Sequence, residues 1–314
     1  MSQLKHSAHS FSRRKFLAIA GALPAILAVP PISRAALADA GEILSTALAA
    51  KTSKYPIGLE LYSVRGQLAA HLPETLRTVA KIGYTVVEFY APYCDWTIPY
   101  CKSVRTLMDD LGLRCYSTHN SIKSFTPGDS MSHAIELNQV LGSRLMVLAS
   151  APAIANGVEG WKELCGRLSI AVAQLAPHGL SAGFHNHQTE WAALDGTQRT
   201  MDVIAANTPR EFVLQLDVGT SVEAGADPVA WIKANPGRIK VIHVKDWAPG
   251  SKADEKGYRV LFGEGVSPWK EILAAVESVG GVEYYLMEQE GSRYSEFETV
   301  QRCLETWKKM RGEA

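Results

Sequence analysis

Eight short apolar runs recur along this chain at nearly even spacing, and that rhythm limits its fold more than any other feature. They begin near Ile57 (IGLELYS), Thr85 (TVVEFY), Cys115 (CYSTH), Leu145 (LMVLAS), Ala182 (AGFHNH), Val213 (VLQLDV), Lys240 (KVIHVK) and Tyr284 (YYLMEQE). The intervals are 28, 30, 30, 37, 31, 27 and 44 residues, each enough for one strand, one helix and their loops. Between the runs, apolar residues at helical spacing mark 74–82, 131–141, 161–175, 267–279 and 297–307. Pro73 suits a first helical position, and glycines at 83, 142 and 280 suit helix ends. Strand and helix alternating eight times predict an α/β fold, a (β/α)8 TIM barrel.

The barrel is expected over residues 55–314, after a linker at 39–54 and a leader at 1–38. The leader has paired arginines (Arg13, Arg14) before Phe16-Leu17, a short apolar run and the small-residue site Ala36-Leu37-Ala38. That is the form of a twin-arginine signal peptide, and it predicts a periplasmic or otherwise exported protein. The apolar run is too short to span a bilayer and is broken by Pro24 and Pro30, so no stable membrane association is expected after cleavage. Twin-arginine export carries folded proteins, which lets a cofactor be chosen in the cytoplasm. Without the leader's five basic residues the chain has 27 Lys+Arg against 32 Asp+Glu, a net charge near −5. A nucleic-acid partner calls for a basic groove, so none is expected. The five cysteines (Cys94, Cys101, Cys115, Cys165, Cys303) show no zinc-binding spacing. Cys94 and Cys101 could pair in an oxidising compartment, or all five could be buried or free thiols.

Four of the apolar runs end in alternating polar groups. His185 and His187 close the fifth, Gln215 and Asp217 the sixth, His243 and Lys245 the seventh, Glu288 and Glu290 the eighth. Alternate residues of a strand share a face, and the carboxyl ends of parallel barrel strands converge on one mouth. His185, Asp217, His243 and Glu288 therefore read as one centre for a divalent metal cation. Two imidazoles and two carboxylates suit Mn²⁺, Fe²⁺, Co²⁺ or Zn²⁺, and the lack of thiolates argues against a closed structural zinc. Residues 248–265, with Lys252, Lys256, Arg259 and a Gly-Glu-Gly turn, follow the seventh strand as a lid or a solvated loop.

Seven motifs spread over most of the chain make it resemble the xylose isomerase-like sugar phosphate isomerase/epimerase family of TIM barrels. They are GLELYSVR (58–65), GYTVVEFY (83–90), GFHNHQTEW (183–191), LQLDVGT (214–220), VIHVKDW (241–247), FGEGV (262–266) and MEQE (287–290). The resemblance implies a divalent metal held at strands five to eight, and proton transfer on a hydroxy-ketone or aldose. It carries ligand roles onto Asp217, His243 and Glu288. The family's fifth-strand ligand is commonly Glu; here that place falls on His185, with Glu190 as the substitute. His187 stands where several relatives have a catalytic Lys.

The expected activity is a metal-dependent sugar isomerase or epimerase that removes a proton next to a carbonyl through a metal-stabilised enediolate. Mn²⁺ is the first choice of metal, with Zn, Co, Fe or Mg as alternatives. Glu88 and His187 are the acid–base candidates, and Lys245 orients a ligand carboxylate, binds a substrate oxygen or simply pairs with Asp246. Glu60, His119 and Trp247 are substrate-contact candidates. Trp247, Trp191 and Tyr62 either stack on a sugar or pack under loops. Export favours a small non-phosphorylated sugar or keto-sugar as partner, and a homo-oligomer is compatible with the sequence. The alternatives are β-elimination from a keto-glycoside by the same site, a non-catalytic periplasmic sugar-binding barrel, and a DNA-repair endonuclease, the last opposed by the acidic charge.

Overall fold

The computed structural model describes residues 54–194, 196, 198–250 and 257–313. The leader and all of the linker except Lys54 lie outside the described residues, as do Lys252 and Lys256 of the insertion.

Eight parallel strands close a barrel in sequential order. They are β1 (Ile57–Glu60), β2 (Val86–Phe89), β3 (Arg114–Asn120), β4 (Leu145–Leu148), β5 (Ser181–His185), β6 (Val213–Asp217), β7 (Val241–Val244) and β8 (Tyr284–Met287). Each begins within one residue of its predicted run, because a strand buried on both faces is written as an unbroken apolar stretch. The outward side chains of the strands join the helices in one large core, among them Val87, Met146, Phe184, Leu214, Ile242 and Tyr285. Inward side chains of the lower strands form a second cluster of Val86, Leu145, Val147, Val213, Val241, Tyr284 and Leu286. This apolar plug fills the barrel floor, so polar groups further along the same strands are raised toward the mouth.

The predicted helices are present as Leu72–Ile82, Asp129–Leu141, Gly157–Leu175, Trp269–Ala275 and Glu296–Arg311, the fourth running on into a π turn at Val276–Gly280. Ile98–Asp110, Thr200–Asn207 and Pro228–Ala234 complete the outer ring. Two of these have start signals that a sequence shows. Thr97 accepts a bond from the Tyr100 amide ahead of Pro99, and Asp227 accepts from Val229 and Ala230 ahead of Pro228. No described helix is long and apolar enough to cross a membrane.

Register decides which polar groups become neighbours. His185 pairs with Gln215 across β5/β6, Asp217 with His243 across β6/β7, and Glu60 with Glu88 across β1/β2. The β2/β3 ladder slips by one residue between Val87↔Cys115 and Phe89↔Thr118. Such a slip re-aims side chains, and Ser117 and His119 both reach Glu88. Strand β4 is apolar throughout and gives the mouth no charged group.

The cysteines are all free thiols, so Cys94 and Cys101 do not form the disulfide that was one of their two readings. Cys101 is buried with its Sγ 3.7 Å from the Leu137 carbonyl, and Cys94 turns toward Asn120 instead.

Candidate metal centre

His185, Asp217, His243 and Glu288 are all buried, and each offers a ligand atom within 4.8 Å of the others. They come from the ends of β5, β6 and β7 and the first residue beyond β8, where parallel strands bring distant residues together. Asn186 ties two of these ends. Its side chain accepts from the Asp217 amide at 3.0 Å and donates to the Asp217 carbonyl at 3.1 Å.

The donor set is incomplete in a way that suits a cation. Asp217 Oδ1 accepts from the Thr220 amide at 2.9 Å. Its other oxygen, Oδ2, is buried without a hydrogen bond, although Lys245 Nζ is 3.3 Å away and His185 Nε2 3.8 Å away. Burial holds the Asp217 carboxyl above its ordinary pKa despite the Lys245 charge. His185 is kept neutral, first by burial and then by the neighbouring rings of His243, His119 and His187. Neutral imidazole and carboxylate are the protonation states a metal ligand needs. The four groups are placed so that they could hold a divalent cation.

His243 is bound at both ring nitrogens, Nε2 by Glu88 Oε2 at 2.8 Å and Nδ1 by Glu288 Oε2 at 2.5 Å. Burial opposes its charge, but Glu88 and Glu288 outweigh that and raise its pKa to about 10. Glu288 is held well below the carboxylate range, because Lys245 and His243 override the burial penalty. Lys245, fully buried, reaches Glu288 Oε1 at 3.1 Å and Glu290 Oε1 at 2.5 Å. Its expected alternative, a pair with Asp246, is not formed. The Asp246 carboxylate instead accepts from the amides of Trp247, Gly263, Gly265 and Ser267, which shapes the FGEGV turn. Gly265 is required there, since a Cβ would stand 2.1 Å from Asp246 Oδ1.

Beneath the cluster lies Glu88, wholly buried, with three hydrogen-bond donors and the His119 ring close by. Ser117 Oγ and Gln215 Nε2 reach its Oε1; His119 Nε2 (3.1 Å) and His243 Nε2 (2.8 Å) reach its Oε2. Those groups hold it ionised against burial, the two rings contributing most. Glu60 is the opposite case. It is buried, its Oε2 has no hydrogen-bond partner, and burial with the charges of Glu88 and Glu288 raises its pKa well above the ordinary value.

Above the cluster opens a cavity of about 270 Å³ lined by Glu60, Tyr62, Tyr90, His119, His185, His187, Glu288 and Glu290, among others. Glu60, His119 and His187 thus face this cavity. Glu88, Lys245 and Trp247 do not line it. Tyr62, 38% exposed, meets Tyr90 edge-on at 5.3 Å, whereas Trp191 is buried against Trp231. Glu190 accepts from the His187 amide at 2.7 Å and is absent from the metal-capable groups, so of the two fifth-strand candidates only His185 joins the cluster. A larger cavity of about 460 Å³ opens among Tyr116, Arg144, Lys240, Glu283 and Tyr284 at the barrel's amino end, away from the cluster. Sequence reasoning gave no role to Gln215 or Ser117; the period-two alternation that picked out Asp217 places Gln215 on the same face.

Known structures share this architecture. A sugar phosphate isomerase/epimerase from Parabacteroides distasonis is 24% identical, with a TM-score of 0.67, covering 81% of this chain and 93% of its own. The probable 3-DHS dehydratase AsbF of Bacillus anthracis is 14% identical, TM-score 0.62, over 80% and 98%. D-psicose 3-epimerase, solved in the presence of D-fructose, is 12% identical, TM-score 0.60, over 81% and 98%. No curated protein matches the sequence. The profile of the xylose isomerase-like TIM barrel matches residues 76–309, most of the chain, and the protein belongs to that family.

Proposed function

We propose that this protein is a metal-dependent isomerase or epimerase of a non-phosphorylated sugar or keto-sugar. The observation that carries the reading is the convergence of His185, Asp217, His243 and Glu288 from four successive strands, with Asp217 Oδ2 buried and making no hydrogen bond. A divalent cation bound there, Mn²⁺ in the first instance, supplies positive charge to the oxygen of a carbonyl whose neighbouring carbon loses a proton.

The protein's own groups divide the remaining work. Glu88 takes the Nε2–H of His243, which leaves Nδ1 as the nitrogen facing Glu288 and the cluster. The proton shared by His243 Nδ1 and Glu288 Oε2 must leave before these atoms can hold a cation. Lys245 orients the carboxylates of Asp217 and Glu288 and neutralises part of their charge. Glu88 was an acid–base candidate, but both its oxygens are hydrogen-bonded and it does not line the cavity. Its part in this reading is to orient His243 and His119. Proton removal and return fall to His187 and Glu290, which line the cavity. Tyr62 and Tyr90 offer apolar ring surface to a sugar's C–H face. Export by the twin-arginine route, read from the sequence alone, belongs to the same proposal and favours a substrate without phosphate.

Incubating the Mn²⁺-loaded protein with keto-sugars in D₂O tests the activity. Deuterium at a single carbon with no group released is the expected result. Release of an aglycone would assign elimination instead, and tight binding without exchange would leave a sugar-binding barrel.

A further inference from the structure

Gln215 is fully buried between Glu88 and the rings of His119 and His185. We propose that Gln215 is a positioning residue that fixes the tautomer of His185 and so turns a bare Nε2 toward the cluster. The inference rests on the metal-centre reading given above.

Gln215 Nε2 stands 3.0 Å from Glu88 Oε1, which also accepts from Ser117, while Glu88 Oε2 faces the Nε2 atoms of His119 and His243. A carboxylate has no hydrogen to give, so the amide must present its NH₂ end to Glu88. Its oxygen is then forced toward the two rings, 3.0 Å from His185 Nδ1 and 2.8 Å from His119 Nε2. A carbonyl oxygen cannot donate either, so His185 Nδ1 carries the proton. The neutral ring then has an unprotonated Nε2. That nitrogen is the atom 3.8 Å from Asp217 Oδ2, the oxygen that makes no hydrogen bond. The reversed amide would set oxygen against oxygen at Glu88 and NH₂ against both rings. The β5/β6 register, His185 beside Gln215, builds the arrangement into the sheet.

Such a support matters most where the ligand is an imidazole. A carboxylate offers two equivalent oxygens, whereas an imidazole ligates only through the nitrogen that lacks hydrogen. The structure thus pairs the histidine at the fifth strand with the amide that makes it usable.

The test uses the full-length protein stripped of metal, with ¹⁵N-labelled histidine. Long-range ¹H–¹⁵N spectra should show His185 as the Nδ1–H tautomer in the wild type and as a mixture in Gln215→Leu. Titration with Mn²⁺ against a chelating dye should then show affinity about 10–100-fold weaker in Gln215→Leu, the range for losing a group that orients a ligand. A wild-type His185 with its proton on Nε2 overturns the inference, and that spectrum decides even if the variant does not fold. Equal Mn²⁺ affinity in the two proteins also overturns it while leaving the metal site intact. A wild type that binds no Mn²⁺, with His185→Ala unchanged from it, overturns the metal reading itself.

Discussion

Asp217 has one carboxylate oxygen hydrogen-bonded inside the protein and one that makes no hydrogen bond, and this asymmetry distinguishes it from a simple helix cap. Oδ1 caps the turn through Thr220; Oδ2 faces the cluster with the Lys245 ammonium 3.3 Å away. Asp217→Ala or His243→Ala should therefore lower cation affinity by more than the about 10–100-fold expected of a supporting group. Metal content measured after gel filtration checks this, and full occupancy in both variants would remove them from the site. Glu290→Gln and His187→Ala should slow solvent exchange of the substrate while leaving the cation bound; wild-type exchange in both would clear them of proton transfer. His243 supplies a pH prediction for the metal-free protein. Its folded pKa, about 10, lies above the ordinary 6.5, so its stabilising share is complete below pH 6.5 and drains as pH rises toward 10. Urea melts of chelator-treated wild type should lose stability across that window. His243→Gln should lack this component, and parallel curves for the two proteins would contradict it.

The strand ends show how a barrel converts alternation into a site. Residues two apart on β6 and its neighbours separate by depth: Val213 in the floor, Gln215 in the supporting layer, Asp217 in the cluster. The four clustered groups were legible in the sequence because each closes an apolar run with a polar residue. The position of Glu88 is plain in the sequence but its surroundings are not. Three donors and the His119 ring, from β3, β6 and β7, reach it only after the barrel closes and β3 slips by one residue. Lys245 was ambiguous for the same reason, since the adjacent Asp246 turns to a loop 17 to 21 residues onward. Asp246→Ala should strip several amides of the FGEGV turn of their acceptor, costing about 1–3 kcal/mol. Gly265→Ala should act in the same direction by driving a methyl into that carboxylate. Denaturant midpoints check both, and unchanged midpoints would show that the turn does not depend on Asp246.

At the scale of the molecule, the fold follows from eight evenly spaced runs, and the family from motifs that cover both halves of the barrel. The barrel mouth carries the buried cluster of His185, Asp217, His243 and Glu288, with an apolar floor beneath it. Its cavity of about 270 Å³ suits a small ligand. Export depends on residues outside those described and belongs to the proposal. Replacing Arg13 and Arg14 with Lys should hold the protein in the cytoplasmic fraction, whereas unchanged export would rule out the twin-arginine route. The central claim, that one cation is held by residues from β5 to β8, is tested most directly by anomalous diffraction from a Mn²⁺-loaded crystal. The account predicts a single strong peak within bonding distance of His185, Asp217, His243 and Glu288. A peak elsewhere, or none among these four side chains, would contradict it.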